Sequence, residues 1–301
     1  MTAAIPFVAL LVLLYAPATF AQPRTETEDQ PKSSRTLTVL TEPAAMVWLD
    51  EIRRGAADTN GRLLLSNVAT GAHALRVRAN GFKEATSPVA AAARGEIRVR
   101  LLRTTDQAEL LFQQAESARD SAKSADDRQK SADLYRQALR IRAANPAAHV
   151  GLARVLLDLN DTDGALSEIA AARRYRLSYS EASAVEGRIY RETGEIEDAI
   201  GSFNRAIRES HGFQPEAHVG LGRTYEEKGQ YDFAAREYQI AVNQLSDTEP
   251  IIYQLLGAAY EKSGNAKEAI VAYENYLRLA PNGSQASAVR SIIEQLKSEQ
   301  P

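Results

Sequence analysis

The chain has 301 residues, and its 36 Lys and Arg against 39 Asp and Glu give a formal net charge of −3, which excludes a uniformly basic nucleic-acid-binding protein. Its 44% hydrophobic and 25% charged residues are typical of globular proteins, and its length predicts two domains. Because the chain has no Cys, disulfides, thiolate metal centres and thiol nucleophiles are excluded. Only four His remain for imidazole chemistry, so neither a cofactor nor a metal is expected.

Residues 1–21 have the pattern of a signal peptide. The apolar run IPFVALLVLLY is too short to span a hydrocarbon core and is followed by small residues at Thr19 and Ala21. This pattern predicts cleavage after Ala21, and an uncleaved anchor is the alternative because no Lys or Arg precedes the run. We expect an exported protein, periplasmic or associated with a bacterial cell envelope, without a stable transmembrane anchor after cleavage.

Residues 22–35 contain no large apolar side chain and are rich in Pro, Thr, Glu and Ser, which predicts a disordered linker. From residue 36 to residue 103, short alternating runs such as TLTVLT, HALRVRA and EIRVRLL are separated by turn residues, which predicts a small antiparallel β-sandwich. Leu75 and Val77 are assigned to its core, Arg76 and Arg78 to its surface, and Trp48 to a core position that needs bulk.

Charge is distributed unevenly between the two parts of the chain. Residues 36–103 contain ten Lys and Arg against six Asp and Glu, a local charge of +4. Residues 1–35 are balanced, so residues 104–301 carry −7. A basic sandwich is therefore predicted to precede an acidic C-terminal part.

The sandwich segment resembles a PEGA domain in the stretches TEPAAMVWLD (41–50), RRG (53–55), GAHALRV (71–77) and GF (81–82). PEGA domains are β-sandwiches of bacterial and archaeal cell envelopes. The stretch DTNGRLLL (58–65) is also similar to the carboxypeptidase-regulatory-like sandwiches, and the choice between the two families stays open. Neither resemblance implies an active site in this segment.

Beyond residue 105 the apolar spacing becomes helical and repeats at intervals of 34 or 35 residues. One small residue recurs in each unit at Ala153, Gly187, Gly222 and Gly257. A second recurs at Ala165, Ala199, Ala234 and Ala269. Four residues after each residue of the second set comes a bulky one, which is Ile169, Phe203, Tyr238 or Tyr273. Antiparallel helices approach closely only where one side chain is small and its neighbour fills the gap. The pattern therefore predicts stacked helical hairpins.

These residues resemble the tetratricopeptide repeat (TPR), whose period is about 34 residues. Four units are assigned to 146–179, 180–214, 215–249 and 250–283. Residues 106–145 form an atypical first repeat with a long first helix over 106–127 and Ser131 in place of Ala, and residues 284–298 form a capping helix whose apolar stripe is Ala288, Ile292, Ile293 and Leu296. The predicted fold class is multi-domain, a small antiparallel β-sandwich followed by an all-α solenoid of TPR helical hairpins.

The TPR resemblance implies a concave groove that is lined by the first helix of each hairpin and binds extended peptides or partner helices. Arg154, Arg188 and Arg223 follow the small residue of successive first helices, so we expect them to project into this groove and bind a carboxylate. The alternative is that the acids four residues later, Asp158, Glu192 and Glu227, pair with them and leave a neutral wall.

No nucleophile-elbow, kinase or Walker pattern is present, and His149 and His218 occupy equivalent repeat positions that favour packing over metal binding. The sequence therefore favours a non-catalytic exported adaptor, whose groove binds a protein or peptide and whose sandwich docks to a cell-envelope component. One alternative is a protein that binds cell-wall glycan through the basic sandwich. Another is an enzyme built from scattered acids in the groove, such as Glu192 and Glu226.

Overall fold

A computed structural model of the chain describes residues 34–50, 52–245 and 249–299. The predicted signal peptide and linker residues 22–33 lie outside these ranges. The described part contains seven strands, β1 (Ser34–Leu40), β2 (Met46–Leu49), β3 (Ile52–Ala56), β4 (Arg62–Ala69), β5 (His73–Arg78), β6 (Ala85–Val89) and β7 (Gly95–Arg98), followed by helices. Among the described residues, no helix combines the length and apolar character that crossing a bilayer requires.

The strands form two packed sheets, which confirms the predicted sandwich. One sheet has the order β4-β1-β7 and the other the order β3-β2-β5-β6. Between them lies a core that includes Leu37, Val39, Val47, Leu75 and Val77, all fully buried. One pair departs from the antiparallel expectation, because β1 and β7 run parallel. β7 reaches β1 after β6 of the other sheet, so no hairpin turn dictates its direction.

The prediction that Trp48 lies in the sandwich core is wrong. Its neighbours Val47 and Leu49 point into the core, and because side chains alternate along a strand, Trp48 lies on the opposite face of the four-stranded sheet. There the guanidinium carbon of Arg76 is 4.3 Å from the ring centroid and that of Arg78 is 5.4 Å from it. Trp48 is therefore half-buried beneath two arginines at the sandwich surface.

Eleven helices follow within the described ranges. They are α1 (Gln107–Ser121), α2 (Ala125–Ile141), α3 (Pro146–Asp158), α4 (Thr162–Tyr175), α5 (Ser180–Thr193), α6 (Ile196–Glu209), α7 (Pro215–Glu227), α8 (Tyr231–Leu245), α9 (Pro250–Lys262), α10 (Ala266–Leu279) and α11 (Ala286–Ser298). Helices α1 to α10 pack as five consecutive hairpins, and each hairpin packs on the next. This arrangement confirms the predicted solenoid.

The first hairpin differs from the prediction of one long helix over 106–127. Helix α1 ends at Ser121, and Ser124 begins α2 with a capping box, in which its side chain accepts from the backbone N–H of Asp127. This cap satisfies N–H groups at the start of α2 and so fixes the break. Ser131, at a small-residue position, is buried and donates a hydrogen bond of 3.0 Å to the carbonyl of Ala115.

Close helix pairing depends on glycines that face large rings. A Cβ atom on Gly222 would lie 2.4 Å from the ring of Tyr238, and a Cβ on Gly257 would lie 2.6 Å from the ring of Tyr273. A Cβ on Gly187 would similarly lie 2.7 Å from Phe203. Ordinary side chains do not fit at such separations, which gives the glycine and aromatic periodicity its physical cause.

The large residue is also matched to a polar partner. The hydroxyl of Tyr238 donates to Glu226 at 2.7 Å, and the hydroxyl of Tyr273 donates to Glu261 at 2.8 Å. In the hairpin that has Ile169 instead of Tyr, the residue equivalent to these glutamates is Leu157, a buried apolar side chain. The two positions therefore change together from one repeat to another, from a tyrosine with a glutamate to two apolar residues.

Helix α11 covers the last hairpin with a stripe that is shifted from the predicted one. The buried residues are Ala286, Val289, Ile293 and Leu296, which are spaced by three, four and three positions. Ala288 is exposed and Ile292 is half-buried, so their assignment to the central stripe is corrected. The stripe starts at Ala286, the first residue of the helix, and a 3.6-residue period from there selects Val289 rather than Ala288.

Candidate functional site

Equivalent residues of successive first helices line two adjoining clefts along the groove. The first cleft contains Val150 and Arg154 of α3, and the second contains Ala184 and Arg188 of α5 together with Val219 and Arg223 of α7. Glu216, near the start of α7, borders both clefts. The predicted arginine ladder is therefore divided between two environments.

The first cleft has a volume of about 490 Å³ and lies between the two modules. One wall is the outer face of the four-stranded sheet, with Trp48, Arg76 and Arg78. The other wall is formed by residues of α1, α3, α5 and α7 and by the connection that leads into α5. The sandwich thus covers the N-terminal end of the groove, a placement that the sequence did not predict.

Ion pairs and one buried amide hold the sandwich on α1. Arg78 lies 3.2 Å from Glu116, and Arg53 lies 3.5 Å from Asp120. The side chain of Gln113, only 3% exposed, accepts a hydrogen bond of 2.9 Å from the N–H of Gly81.

The amide nitrogen of Gln113 also donates to the carbonyl of Phe82 at 2.6 Å. Burying an amide is costly unless its hydrogen bonds are made, so this contact requires the observed register of α1 on the sandwich.

Glu116 is the electrostatic centre of this contact. Burial raises the pKa of its carboxyl, but the guanidiniums of Arg119, Arg78 and Arg154 and the hydrogen bond from Tyr135 together lower it more, so the pKa lies below its ordinary value of 4.5. The hydroxyl of Tyr135 on α2 also donates to Glu116. Glu116 therefore stays ionised at neutral pH and links the sandwich to the first hairpin.

Arg154 is engaged within the covered end of the groove. Its Nη2 atom lies 2.6 Å from Oε2 of Glu216, and its side chain is 22% exposed. Burial lowers the pKa of Arg154, whereas the charges of Glu216 and Glu181 raise it above its ordinary value. Its guanidinium thus joins α3 to α7 and already has a carboxylate partner.

Arg188 and Arg223 differ in their pairing. Arg188 lies 2.7 Å from Asp158 and 2.8 Å from Glu192, so the alternative with a partner four residues later applies to this arginine. Arg223 is exposed and forms no ion pair with any residue in the described ranges. The acid predicted to neutralise it, Glu227, instead lies 2.7 Å from Arg191.

The second cleft has a volume of about 190 Å³ and is bordered by no residue of the sandwich. Its apolar lining consists of Ala184, Phe203, Val219 and Gly220. Arg188, Arg191 and Arg223 contribute guanidiniums, and Glu192 and Glu216 contribute carboxylates. Such a cleft suits a small apolar side chain next to a carboxylate group.

Arg191 was not among the predicted site residues. The signal that could have identified it is its repeat position, which in the next two repeats holds Glu226 and Glu261, the partners of buried tyrosines. In this hairpin Phe203 replaces the tyrosine and has no hydroxyl. Position 191 therefore needs no glutamate to accept a tyrosine hydrogen bond.

The two repeat histidines have carboxylate partners. Nδ1 of His149 lies 2.5 Å from Glu168, and Nδ1 of His218 lies 2.7 Å from Glu237 at the equivalent repeat position. His149 also stacks on Tyr175 with a centroid separation of 5.9 Å. Within the part of the chain that the structure describes, no group of three His, Asp or Glu residues is arranged to hold a metal ion.

The repeats match known family models over most of the helical region. Three models described as tetratricopeptide repeat match residues 122–189, 184–250 and 251–282, which together cover more than half of the 301 residues. No curated protein matches the chain significantly in sequence.

Solved structures share the helical fold. TTC0263, a thermophilic TPR protein of Thermus thermophilus, is 21% identical with a TM-score of 0.51 over 64% of this chain and 99% of its own. PilW, described as a type IV pilus biogenesis factor, is 13% identical with a TM-score of 0.52 over 65% of this chain and 93% of its own.

Pseudomonas aeruginosa pilF is 16% identical with a TM-score of 0.51, again over 65% of this chain and 93% of its own. At these identities the likeness concerns the fold alone. Together with the family models, it shows that residues 122–282 form tetratricopeptide repeats and that the chain belongs to this family of protein-interaction scaffolds.

Proposed function

We propose that the chain is a non-catalytic, exported adaptor whose groove binds an acidic segment of a protein partner at the second cleft. The observation that carries this proposal is Arg223, an exposed guanidinium that has no ion pair among the described residues and stands beside an apolar lining. A guanidinium presents a fork of donors that fits a carboxylate with two parallel hydrogen bonds. A carboxylate of the partner would give Arg223 the kind of ion pair that Arg154 and Arg188 already form within the chain.

The two halves of the arginine ladder then have different roles. Arg154 stabilises the fold beneath the sandwich, because its carboxylate partner Glu216 is supplied by the chain itself. Arg223 is the residue that selects the ligand, and the half-buried Val219 provides apolar surface for the side chain next to the bound carboxylate. The proposed ligand is an extended peptide with an Asp, a Glu or a free C-terminus next to a small apolar residue.

We extend the proposal to the sandwich, which we regard as a PEGA-like domain of an exported protein. The outer face of its four-stranded sheet contacts the array through Arg78, and the connection between β5 and β6 contacts it through the N–H of Gly81. The other sheet, β4-β1-β7, presents outward the face on which Arg62 and Arg98 lie. We propose that this second face contacts a cell-envelope component.

The groove proposal is tested with a library of random peptides that have free C-termini, selected on the full chain and then measured by fluorescence anisotropy. We expect the selected peptides to be acidic. The substitution Arg223→Glu should weaken their binding at least about tenfold, which corresponds to about 1.4 kcal/mol, because it places a like charge opposite the ligand.

The matched control is Arg208→Glu, which makes the same charge change at an exposed arginine on α6, a second helix of its hairpin. We expect this variant to bind as the wild-type chain does. Selected peptides without acidic groups, or equal losses in both variants, would contradict carboxylate recognition at Arg223.

A further inference from the structure

Apart from Glu42, the described acidic side chains of the sandwich are already engaged by groups within it. Glu84 lies within 3.3 Å of both Arg76 and Arg78, and Glu96 lies 2.8 Å from Arg62. Further acids are also bonded: Asp50 contacts His73, and Asp58 accepts from the N–H groups of Asn60 and Arg62. The positive charge left without an acid partner in the described ranges is therefore available to something outside the sandwich.

Two of the arginines without such partners lie together at one end of the β4-β1-β7 sheet. Arg98 and Arg100 alternate with the buried Val99, so both point outward, and neither forms an ion pair with a described residue. Arg98 lies opposite Leu40 on β1, and Leu40 lies opposite Arg62 on β4. The three guanidiniums thus belong to one corner of the sheet.

A cleft of about 550 Å³ opens at this corner, lined among others by Thr41, Asn60, Arg62, Arg98 and Arg100. Its single acidic residue is Glu42, against three arginines. The floor is a close backbone approach, because Gly61 has a φ of +72° and a Cβ there would lie 2.0 Å from the carbonyl oxygen of Thr41. Only glycine permits this approach, because a Cβ at position 61 would collide with the backbone of Thr41.

Thr41, which lines the same cleft, has a shielded hydroxyl without a partner in the described part of the chain. Oγ1 of Thr41 is buried and makes no hydrogen bond with any described residue. Such an atom costs free energy unless a ligand or solvent bonds to it. Together with the amide of Asn60, it adds neutral hydrogen-bonding groups to the cleft next to the guanidiniums.

We propose that this cleft binds an anionic sugar, with the carboxylate or phosphate group on Arg98 and Arg100 and the sugar hydroxyls on Thr41 and Asn60. Arginine forks suit planar oxyanions, and neutral donors and acceptors suit hydroxyls. The neutral hydrogen-bonding groups beside the guanidiniums favour a sugar over a lipid bilayer, because binding at a bilayer surface is strengthened by protruding apolar or aromatic side chains rather than by such groups. The site is independent of the groove, so either one can fail without the other.

The test uses the full chain and calorimetric titration with D-glucuronate, with glucose as the uncharged sugar and inorganic phosphate as the bare anion. We expect glucuronate to bind and glucose to bind at least about tenfold more weakly. The affinity for glucuronate should fall as salt is raised from about 50 to about 500 mM, because added ions screen the attraction between the guanidiniums and the carboxylate. The double variant Arg98→Gln/Arg100→Gln should lower the affinity for glucuronate at least about tenfold, a change of about 1.4 kcal/mol.

The control is Lys83→Gln/Arg208→Gln, which removes two exposed positive charges that lie outside the cleft. It should leave glucuronate binding unchanged, and circular dichroism should show that both double variants keep the wild-type fold. Equal losses in the two double variants, equal binding of glucose and glucuronate, or binding of bare phosphate with no added affinity for glucuronate would overturn the sugar site. Binding only to phosphatidylglycerol vesicles would overturn it in favour of a membrane surface.

Discussion

Gly222 shows at the scale of one residue why the repeats need glycine. Adding a methyl group there places a Cβ 2.4 Å from the buried ring of Tyr238, so Gly222→Ala should lower the free energy of unfolding by about 1–3 kcal/mol, the usual effect of overpacking. Gly201 on α6 has open space around its Cβ position, and Gly201→Ala should raise the same quantity by about 0.5–1 kcal/mol.

Urea unfolding of the two variants, followed by far-ultraviolet circular dichroism, compares them directly. Because both changes add the same methyl group within a helix, helix propensity favours both, and only the packing differs. Shifts of the same sign and size would show that the glycine and aromatic contacts do not position the helices.

Tyr238 tests the polar half of the same pairing. Burial, the hydrogen bond to Glu226 and the charge of that carboxylate all raise the pKa of its hydroxyl, so the group remains a donor over the physiological range. Tyr238→Phe should destabilise the chain by about 1–2 kcal/mol, because a hydrogen bond to a carboxylate is lost and Glu226 is left less satisfied.

The matched control is Tyr231→Phe on the same helix, whose hydroxyl makes no hydrogen bond to a described residue. We expect its urea midpoint to stay near that of the wild-type chain. A Tyr238→Phe variant as stable as this control would mean that the Tyr238–Glu226 bond contributes nothing measurable.

At the scale of elements, the contact between the four-stranded sheet and α1 is predicted to depend on pH. The folded pKa of Glu116 lies below its ordinary value of 4.5, so its ionised form stabilises the contact above that pH. The stabilisation decreases as pH falls below 4.5 and is lost as pH falls through the lower folded pKa, because Glu116 is then protonated and no longer pairs with Arg78 and Arg119.

Trp48 reports this change, since it is the only tryptophan and lines the cleft between the modules. Acrylamide quenching of its fluorescence should increase as pH falls from 4.5 through the lower folded pKa of Glu116, while the far-ultraviolet signal of the helices is retained. Glu116→Gln should increase quenching already at neutral pH, and Glu294→Gln, a change at an exposed acid of α11, should not. Unchanged quenching in Glu116→Gln would show that this carboxylate does not hold the modules together.

How much the sequence could predict differs between elements. The hairpins were predictable because Gly187, Gly222 and Gly257 recur with one period and because each apposes a large ring of its own hairpin. The outward position of Trp48 was also implied by alternation with Val47 and Leu49, although its size led to a core assignment.

Contacts between elements distant in the chain could not be predicted in this way. The ion pairs Arg78–Glu116 and Arg154–Glu216 join residues 38 and 62 positions apart, and no local period relates their partners. Arg154 and Arg223 therefore have the same sequence context and different surroundings. Only the folded chain distinguishes the covered arginine from the exposed one.

At the scale of the whole molecule, the sandwich closes one end of the groove and leaves the second cleft uncovered. The second cleft, at which we propose that a partner segment binds, is formed by α5 and α7, where Arg223 lies without an acid partner from the described part of the chain. The same arrangement turns the β4-β1-β7 sheet of the sandwich away from its contact with α1, so that the two proposed ligand sites lie at separate places.

Hydrogen–deuterium exchange of the full chain, with and without a saturating selected acidic peptide, tests groove recognition most directly. The peptide should slow exchange only in α5, α7 and their adjoining turns. In the Arg223→Glu variant, the same peptide concentration should not slow exchange there. Protection confined to the second helices α6 and α8, or to the sandwich, would contradict recognition in the groove.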